Sequence, residues 1–255
     1  MNVFFEQVIL LTATQLALTV GVFFVYGNIV HNLQKKILTL YFTKVGWKGI
    51  LLTAWIGTPV HELSHAIMAW TFGHRVNKIK LFEPDFETMQ LGYVSHSHKK
   101  LNPIHKLGLF FIGGAPLIFG PLVILVLLFW LQPDIYNMLK TQQFYFHPAF
   151  LFDPLFYLFF YLAFSISSHI SPSKKDIRQM KKGFTMMVVF LFILSMIFVS
   201  TNITYIVAYN HITTALLGFG FVYGVTILIL LLHLFLLHMF RWLFGGKGKK
   251  KKKKK

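Results

Sequence analysis

Six stretches of this chain, at about 5–30, 49–72, 104–131, 148–170, 184–208 and 213–240, are long and apolar enough to cross a bilayer. No other feature restricts the fold as strongly. In hydrocarbon every backbone polar group must bond within the protein, so spanning stretches of this length and composition fold as helices. The composition agrees: 55% of the 255 residues are hydrophobic, only 13% are charged, and 8 acidic residues cannot help cover so much apolar surface with water-soluble groups. The expectation is an all-α membrane protein with about six transmembrane helices, and a soluble enzyme is excluded.

The formal charge of +17 owes much to a terminal run, Lys247 and Lys249 to Lys255, which reads as a disordered low-complexity tail. The remaining basic residues flank apolar stretches, as the positive-inside rule and contact with anionic lipid headgroups require, so no nucleic-acid partner is expected. Segment 74–106 carries six Lys/Arg, segment 171–183 five and the C-terminal end nine, which assigns all three to the cytosolic side. Only the 31–48 connection dissents, with Lys35, Lys36, Lys44 and Lys48 on the outer side. Val8 to Tyr26 reads as a retained span because no cleavable signal pattern precedes it.

Between the second and third spans, Lys78-Ile79-Lys80-Leu81-Phe82 alternates, Glu83-Pro84-Asp85 marks a turn, and Met89-Gln90-Leu91-Gly92-Tyr93-Val94 follows. This pattern predicts a small membrane-associated β-hairpin. The expected organisation is a first helix and connection over 1–48, a core over 49–183 holding three spans and the hairpin, two further spans over 184–244, and the Lys-rich tail over 245–255.

The second span contains His61-Glu62-Leu63-Ser64-His65. Ionisable groups are costly at membrane depth and mark function there. Two histidines four apart share a helix face and can grip one metal ion, with Glu62 beside them to take a proton from a metal-bound water. Chance placement gives such a pattern in roughly one chain in a hundred of this composition. The alternative, a carbonyl-bonded histidine pair with Glu62 ion-paired, lacks a cation, since no Lys or Arg lies between Lys48 and Arg75. Zinc needs a third protein ligand, and the absence of cysteine leaves only His, Asp or Glu. Of the carboxylates, Asp153 and Asp176 remain. Asp176 follows the proline-broken Ser171-Pro172-Ser173 on the predicted cytosolic side, where unwound backbone can line a wet cavity, and is the expected third ligand; pairing with Lys174, Lys175 or Arg178 is its alternative role. His96 and His98 could join His105 in a second site, although exposed interfacial histidines explain them as well. Asn202-Ile203-Thr204 fits a glycosylation acceptor, and Phe144 to Phe164 reads as lipid-facing or packing surface.

In the order of these features the chain resembles the site-2 protease family of intramembrane zinc metalloproteases over roughly residues 55 to 185. The resemblance rests on Thr58-Pro59-Val60-His61-Glu62-Leu63-Ser64-His65-Ala66, on Phe72-Gly73, on Leu91-Gly92-Tyr93-Val94, on Gly114-Ala115-Pro116, and on an Asp downstream of Pro172. Ala115 and Phe119 stand where the family usually has Gly and Asn, and nothing resembles a PDZ domain. The resemblance implies one Zn2+ held by His61, His65 and Asp176, Glu62 as general base for a zinc-activated water, and a transmembrane protein substrate. Substrate contact is expected at Gly114 and Pro116 and, from the alternation around it, at Gly92 by strand pairing, and the basic loops predict an active site open to the cytosolic side of a multi-pass protein of the cell membrane. Two other classes stay open at this point: a metal-binding membrane protein or partner subunit without proteolysis, and an ion or proton transporter using His61, Glu62 and His65.

Overall fold

The computed structural model describes residues 3–143, 152–201 and 205–244. The Lys-rich tail, Asn202-Ile203-Thr204 and positions 144–151 of the Phe-rich stretch lie outside the described residues. In chain order the helices are α1 (Val3–Gln15), running through a π-helical stretch (Leu16–Gly21) into α2 (Val22–Val45), then α3 (Trp47–Thr71). Strands β1 (Arg75–Lys80) and β2 (Tyr93–Ser97) follow, then α4 (Pro103–Leu131), α5 (Pro133–Thr141), α6 (Pro154–Ser167), α7 (Lys174–Ser200) and α8 (Tyr205–Phe244).

Among the described residues four helical stretches are long and apolar enough to cross a membrane: Val3–Val45, Pro103–Leu131, Lys174–Ser200 and Leu217–Leu243. The six expected spans differ from this in an instructive way. Helix α3 has 25 residues, enough length, but Thr53, Thr58, His61, Glu62, Ser64 and His65 dilute its apolar character. Helix α6 is apolar but has only 14 residues. The first helix does not stop near residue 30 but continues to Val45, because Val30, Leu33 and Ile37 keep a buried helical stripe past the lysines. Lys35 and Lys36, taken from sequence as part of a connection, therefore ride on the outer face of a helix. Residues 133–141, expected as loop, form α5, with proline at its start.

The main core gathers Tyr26, Val30 and Ile37 of α2, Leu117 and Ile124 of α4, Phe159 and Ile166 of α6, and Ile229 and Leu230 of α8. Helix α7 lies along α1 and α4, with Phe110, Met187 and Leu191 between them. Glycines set the closest approaches. A Cβ at Gly57 would come within 2.3 Å of the Ser165 carbonyl oxygen, and one at Gly113 within 2.5 Å of the Asp176 carbonyl oxygen, so α3 meets α6, and α4 meets α7, backbone to backbone. The hairpin pairs antiparallel from Arg75↔Ser97 to Lys80↔Tyr93 with a bulge at Asn77, and it packs beside α3.

A candidate metal centre between α3 and α7

A cleft of about 560 Å³ opens between α2, α3, β2 and the start of α7, and His61, Glu62, His65, Gly92 and Asp176 all line it. Glu62, His65 and Asp176 are each less than a tenth exposed. His61 and His65, one turn apart on α3, turn their Nε2 atoms toward each other at 3.1 Å. Asp176 completes the group, with Oδ1 3.4 Å from His65 Nε2 and Oδ2 3.6 Å from His61 Nε2.

Proton accounting at these atoms is decisive for the chemistry. His61 Nδ1 donates to the His169 carbonyl at 2.7 Å, and His65 Nδ1 donates to the Ile112 carbonyl at 2.7 Å. A carbonyl only accepts, so each Nδ1 carries a proton, and in the neutral form each imidazole presents a lone pair at Nε2. In that form two lone pairs and a carboxylate converge with no donor among them, an arrangement that a metal cation satisfies. Tetrahedral zinc, with ligand distances of about 2.0–2.2 Å, places neighbouring donor atoms about 3.3–3.6 Å apart; here the two imidazole nitrogens lie 3.1 Å apart and stand 3.4 and 3.6 Å from the two different oxygens of the Asp176 carboxylate. The donor set fits a metal ion, and these three groups, His65 and Asp176 buried and His61 partly so, could hold one.

Each supporting carbonyl is free for a reason written in the chain. Pro116 has no N–H, so the Ile112 carbonyl four residues earlier has no helical partner and accepts from His65 instead. The His169 carbonyl is available because α6 ends at Ser167 and the chain runs unwound through Ser171 and Pro172. His169 is itself anchored through its ring, Nε2 lying 3.0 Å from Thr53 Oγ1. Asp176 is held by a capping box: Ser173 N–H donates to Asp176 Oδ2 at 2.7 Å while Asp176 N–H donates to Ser173 Oγ at 3.3 Å. No lysine or arginine pairs with Asp176 among the described residues, and Asp153 instead caps α6 far along the chain fold, accepting from Leu155 N–H and Gln132.

Gly92 brings β2 against Glu62. A Cβ there would meet the Lys80 and Leu81 carbonyl oxygens at 2.7 and 2.8 Å and Glu62 Cγ at 3.0 Å, so only glycine allows the strand this near. The Val94 backbone also interacts with the Glu62 carboxylate. Gly114 and Pro116 are not brought to the cleft: Gly114 lines a separate apolar cavity with Phe23, Phe110 and Phe111, and Pro116 is buried within α4, reaching the centre only through the carbonyl it releases.

Sequence reasoning missed several cleft residues. His31 and Gln34 arrive from α2, His31 Nδ1 lying 2.9 Å from Ser171 Oγ and Gln34 Oε1 accepting from Ser171 N–H at 2.8 Å. Nothing local marks them, since they contact the break after α6 from far away in sequence. Thr58 lines the cleft too, and its buried hydroxyl has no protein partner.

A second histidine group lies at the far edge of the same cleft, where His74, His96 and His98 bring ring nitrogens within 4.8 Å of one another. Burial pushes His74 down to about 4 and lowers His96 and His98 as well. Comparison with models of known protein families, with curated proteins and with solved structures finds no match for this chain.

Proposed function

We propose that this chain is an intramembrane zinc metalloprotease, hydrolysing peptide bonds in or near transmembrane segments of other membrane proteins. The observation that carries the reading is the convergence of His61 Nε2, His65 Nε2 and the Asp176 carboxylate, all acceptors, beside the buried carboxylate of Glu62. Imidazole and carboxylate donors in a near-tetrahedral set suit zinc. When bound, zinc supplies Lewis-acid polarisation of a water and of the scissile carbonyl near neutral pH. Glu62, adjacent to His61 on the helix and open to the cleft, accepts the proton released from the attacking water and returns it to the leaving amine. His169 and Ile112 fix the two imidazoles through their carbonyls, so no rotamer has to be selected as substrate binds. Gly92 and its neighbours present an extended backbone along the cleft, against which an unwound substrate segment can lie by strand pairing.

A membrane setting is supported by the apolar exterior. In the best windows of Val3–Val45 and Lys174–Ser200 only 22% of residues are buried inside the protein, leaving Phe24, Phe184, Phe190 and Ile193 outward. Surfaces of that extent are stable against lipid rather than water. The cleft sits at the end of the molecule that carries Lys174, Lys175, the hairpin and its lysines, which supports access from the cytosolic side.

The test is peptide-bond cleavage by zinc-loaded protein in liposomes containing a pool of single-span reporter proteins, read by mass spectrometry of the fragments. Wild type yields fragments cut within or beside the spans, and Glu62→Gln lowers their yield by at least about a hundredfold, the usual scale of a lost general base, with metal content unchanged. Equal cleavage by wild type and Glu62→Gln overturns the assignment.

A further inference from the structure

We infer that the chain holds a second divalent transition-metal ion, at His74, His96 and His98, separate from the centre on α3 and α7. Local chemistry puts these rings together. Helix α3 ends in a Schellman motif, with Gly73 N–H donating to the Trp70 carbonyl and His74 N–H to the Ala69 carbonyl at 3.0 and 2.8 Å, and Gly73 at φ 71° makes the reversal. The chain then enters β1, whose register Arg75↔Ser97 and Val76↔His96 carries one step back to set His74 opposite His98. His74, His96 and His98 thus share one face of the hairpin, His96 within β2, His98 just beyond its end and His74 just before β1.

At His74 the proton is held by a carbonyl, as it is at the first centre. His74 Nε2 donates to the His105 carbonyl at 2.9 Å, which leaves its Nδ1 as a lone pair, and that atom faces His96 Nδ1 at 3.0 Å. Gln179 Nε2 lies 3.0 Å from His96 Nε2; a half-turn of the amide presents its oxygen to an Nε2 proton and leaves His96 Nδ1 free for an ion, whereas without that turn His96 Nδ1 donates to His74 Nδ1. His98 stacks on His74 with ring centroids 5.2 Å apart, and the three ligand nitrogens lie within 4.8 Å of one another. The His105 ring is not a ligand: its Nδ1 accepts from Lys99 N–H at 3.0 Å, so its Nε2 carries the proton. With three imidazoles and no carboxylate, the site selects zinc, nickel, copper or cobalt over calcium or magnesium.

Position gives the site a consequence. Gln179 is three residues beyond Asp176 on α7, and His96 lines the cleft, so an ion at this point fastens β2 to the end of α3 and, through Gln179, to α7. The strand that walls the cleft beside Glu62 is then fixed by metal at its far end.

The test uses the full chain in detergent without a polyhistidine tag, stripped with chelator, loaded with Zn2+ alone, desalted and measured by elemental mass spectrometry. Wild type retains two equivalents; His96→Ala and His98→Ala each retain one; Asp176→Ala retains one; and His98→Ala combined with Asp176→Ala retains none. Retention of the first ion in His98→Ala shows that the variant is folded. One equivalent in wild type, kept by His98→Ala and lost by Asp176→Ala, overturns this inference while leaving the proposed catalytic centre in place; the three histidines are then a metal-free hydrogen-bonded cluster. Two equivalents in His98→Ala overturn it as well. One equivalent in wild type that Asp176→Ala keeps and His98→Ala loses supports the second site and overturns the first.

Discussion

Pro116 is the residue whose sequence reading changes most once its neighbours are seen. A helix-interior proline is ordinarily a cost, and substituting a better helix former recovers up to about 3 kcal/mol. Here the missing N–H frees the Ile112 carbonyl that orients His65. Pro116→Ala is therefore expected to leave thermal stability unchanged or raised while weakening metal affinity about tenfold, since the restored N–H competes for that carbonyl; loss of an outer partner typically costs 10- to 100-fold. Isothermal titration with zinc beside a melting curve separates the two effects. His61, Glu62 and His65 were legible from sequence because their relation is local, one turn of one helix. Asp176 was legible only as the carboxylate left over near an unwound stretch, and the capping box that aims it, Ser173 with Asp176 three residues on, is visible once the helix start is known. His31, Gln34 and the His169 carbonyl were not legible, because each owes its place to contacts more than a hundred residues distant in sequence.

At the scale of elements, the centre depends on how closely α4 and α7 approach. Gly113 is the point of contact: a Cβ there would lie 2.5 Å from the Asp176 carbonyl oxygen and 3.0 Å from the Met180 backbone nitrogen, neither of which can move aside as a side-chain tip could. Gly113→Ala is expected to displace the start of α7, costing about 1–3 kcal/mol in stability and lowering metal occupancy together. Denaturant midpoint and metal content, measured on the same preparation, check both. Gly114, one residue on, faces Phe23 across an apolar cavity instead, so Gly114→Ala should spare the metal. The hairpin between α3 and α4 was readable from alternation and turn residues, whereas the bulge at Asn77 and the role of His74 were not, since both follow from strand register. The helix that runs on to Val45 was misjudged for a physical reason: lysines every few residues read as a loop, yet they occupy one face of a helix whose other face stays apolar.

At the scale of the whole molecule, the account sets an orientation that the chain makes easy to probe, because it contains no cysteine. The hairpin and the cleft share one side, and α5 lies on the other. A single cysteine at Lys100, exposed after β2, is expected to react with a membrane-impermeant maleimide only from the cytosolic side, and one at Asp134, exposed on α5, only from outside. Labelling of both from the same side contradicts the arrangement. The apolar exterior was legible from composition alone, but which helices are both long and apolar enough to span was not, since α3 carries its chemistry on polar residues and α6 is cut short by the break that supplies the His169 carbonyl.

The central claim is that three acceptors on α3 and α7 hold one metal ion that Glu62 serves but does not bind. Metal content by elemental mass spectrometry, on wild type beside His61→Ala, Asp176→Ala and Glu62→Gln, tests it most directly. The account predicts that His61→Ala and Asp176→Ala each lose one equivalent relative to wild type and that Glu62→Gln loses none. Wild-type metal content in Asp176→Ala would contradict it.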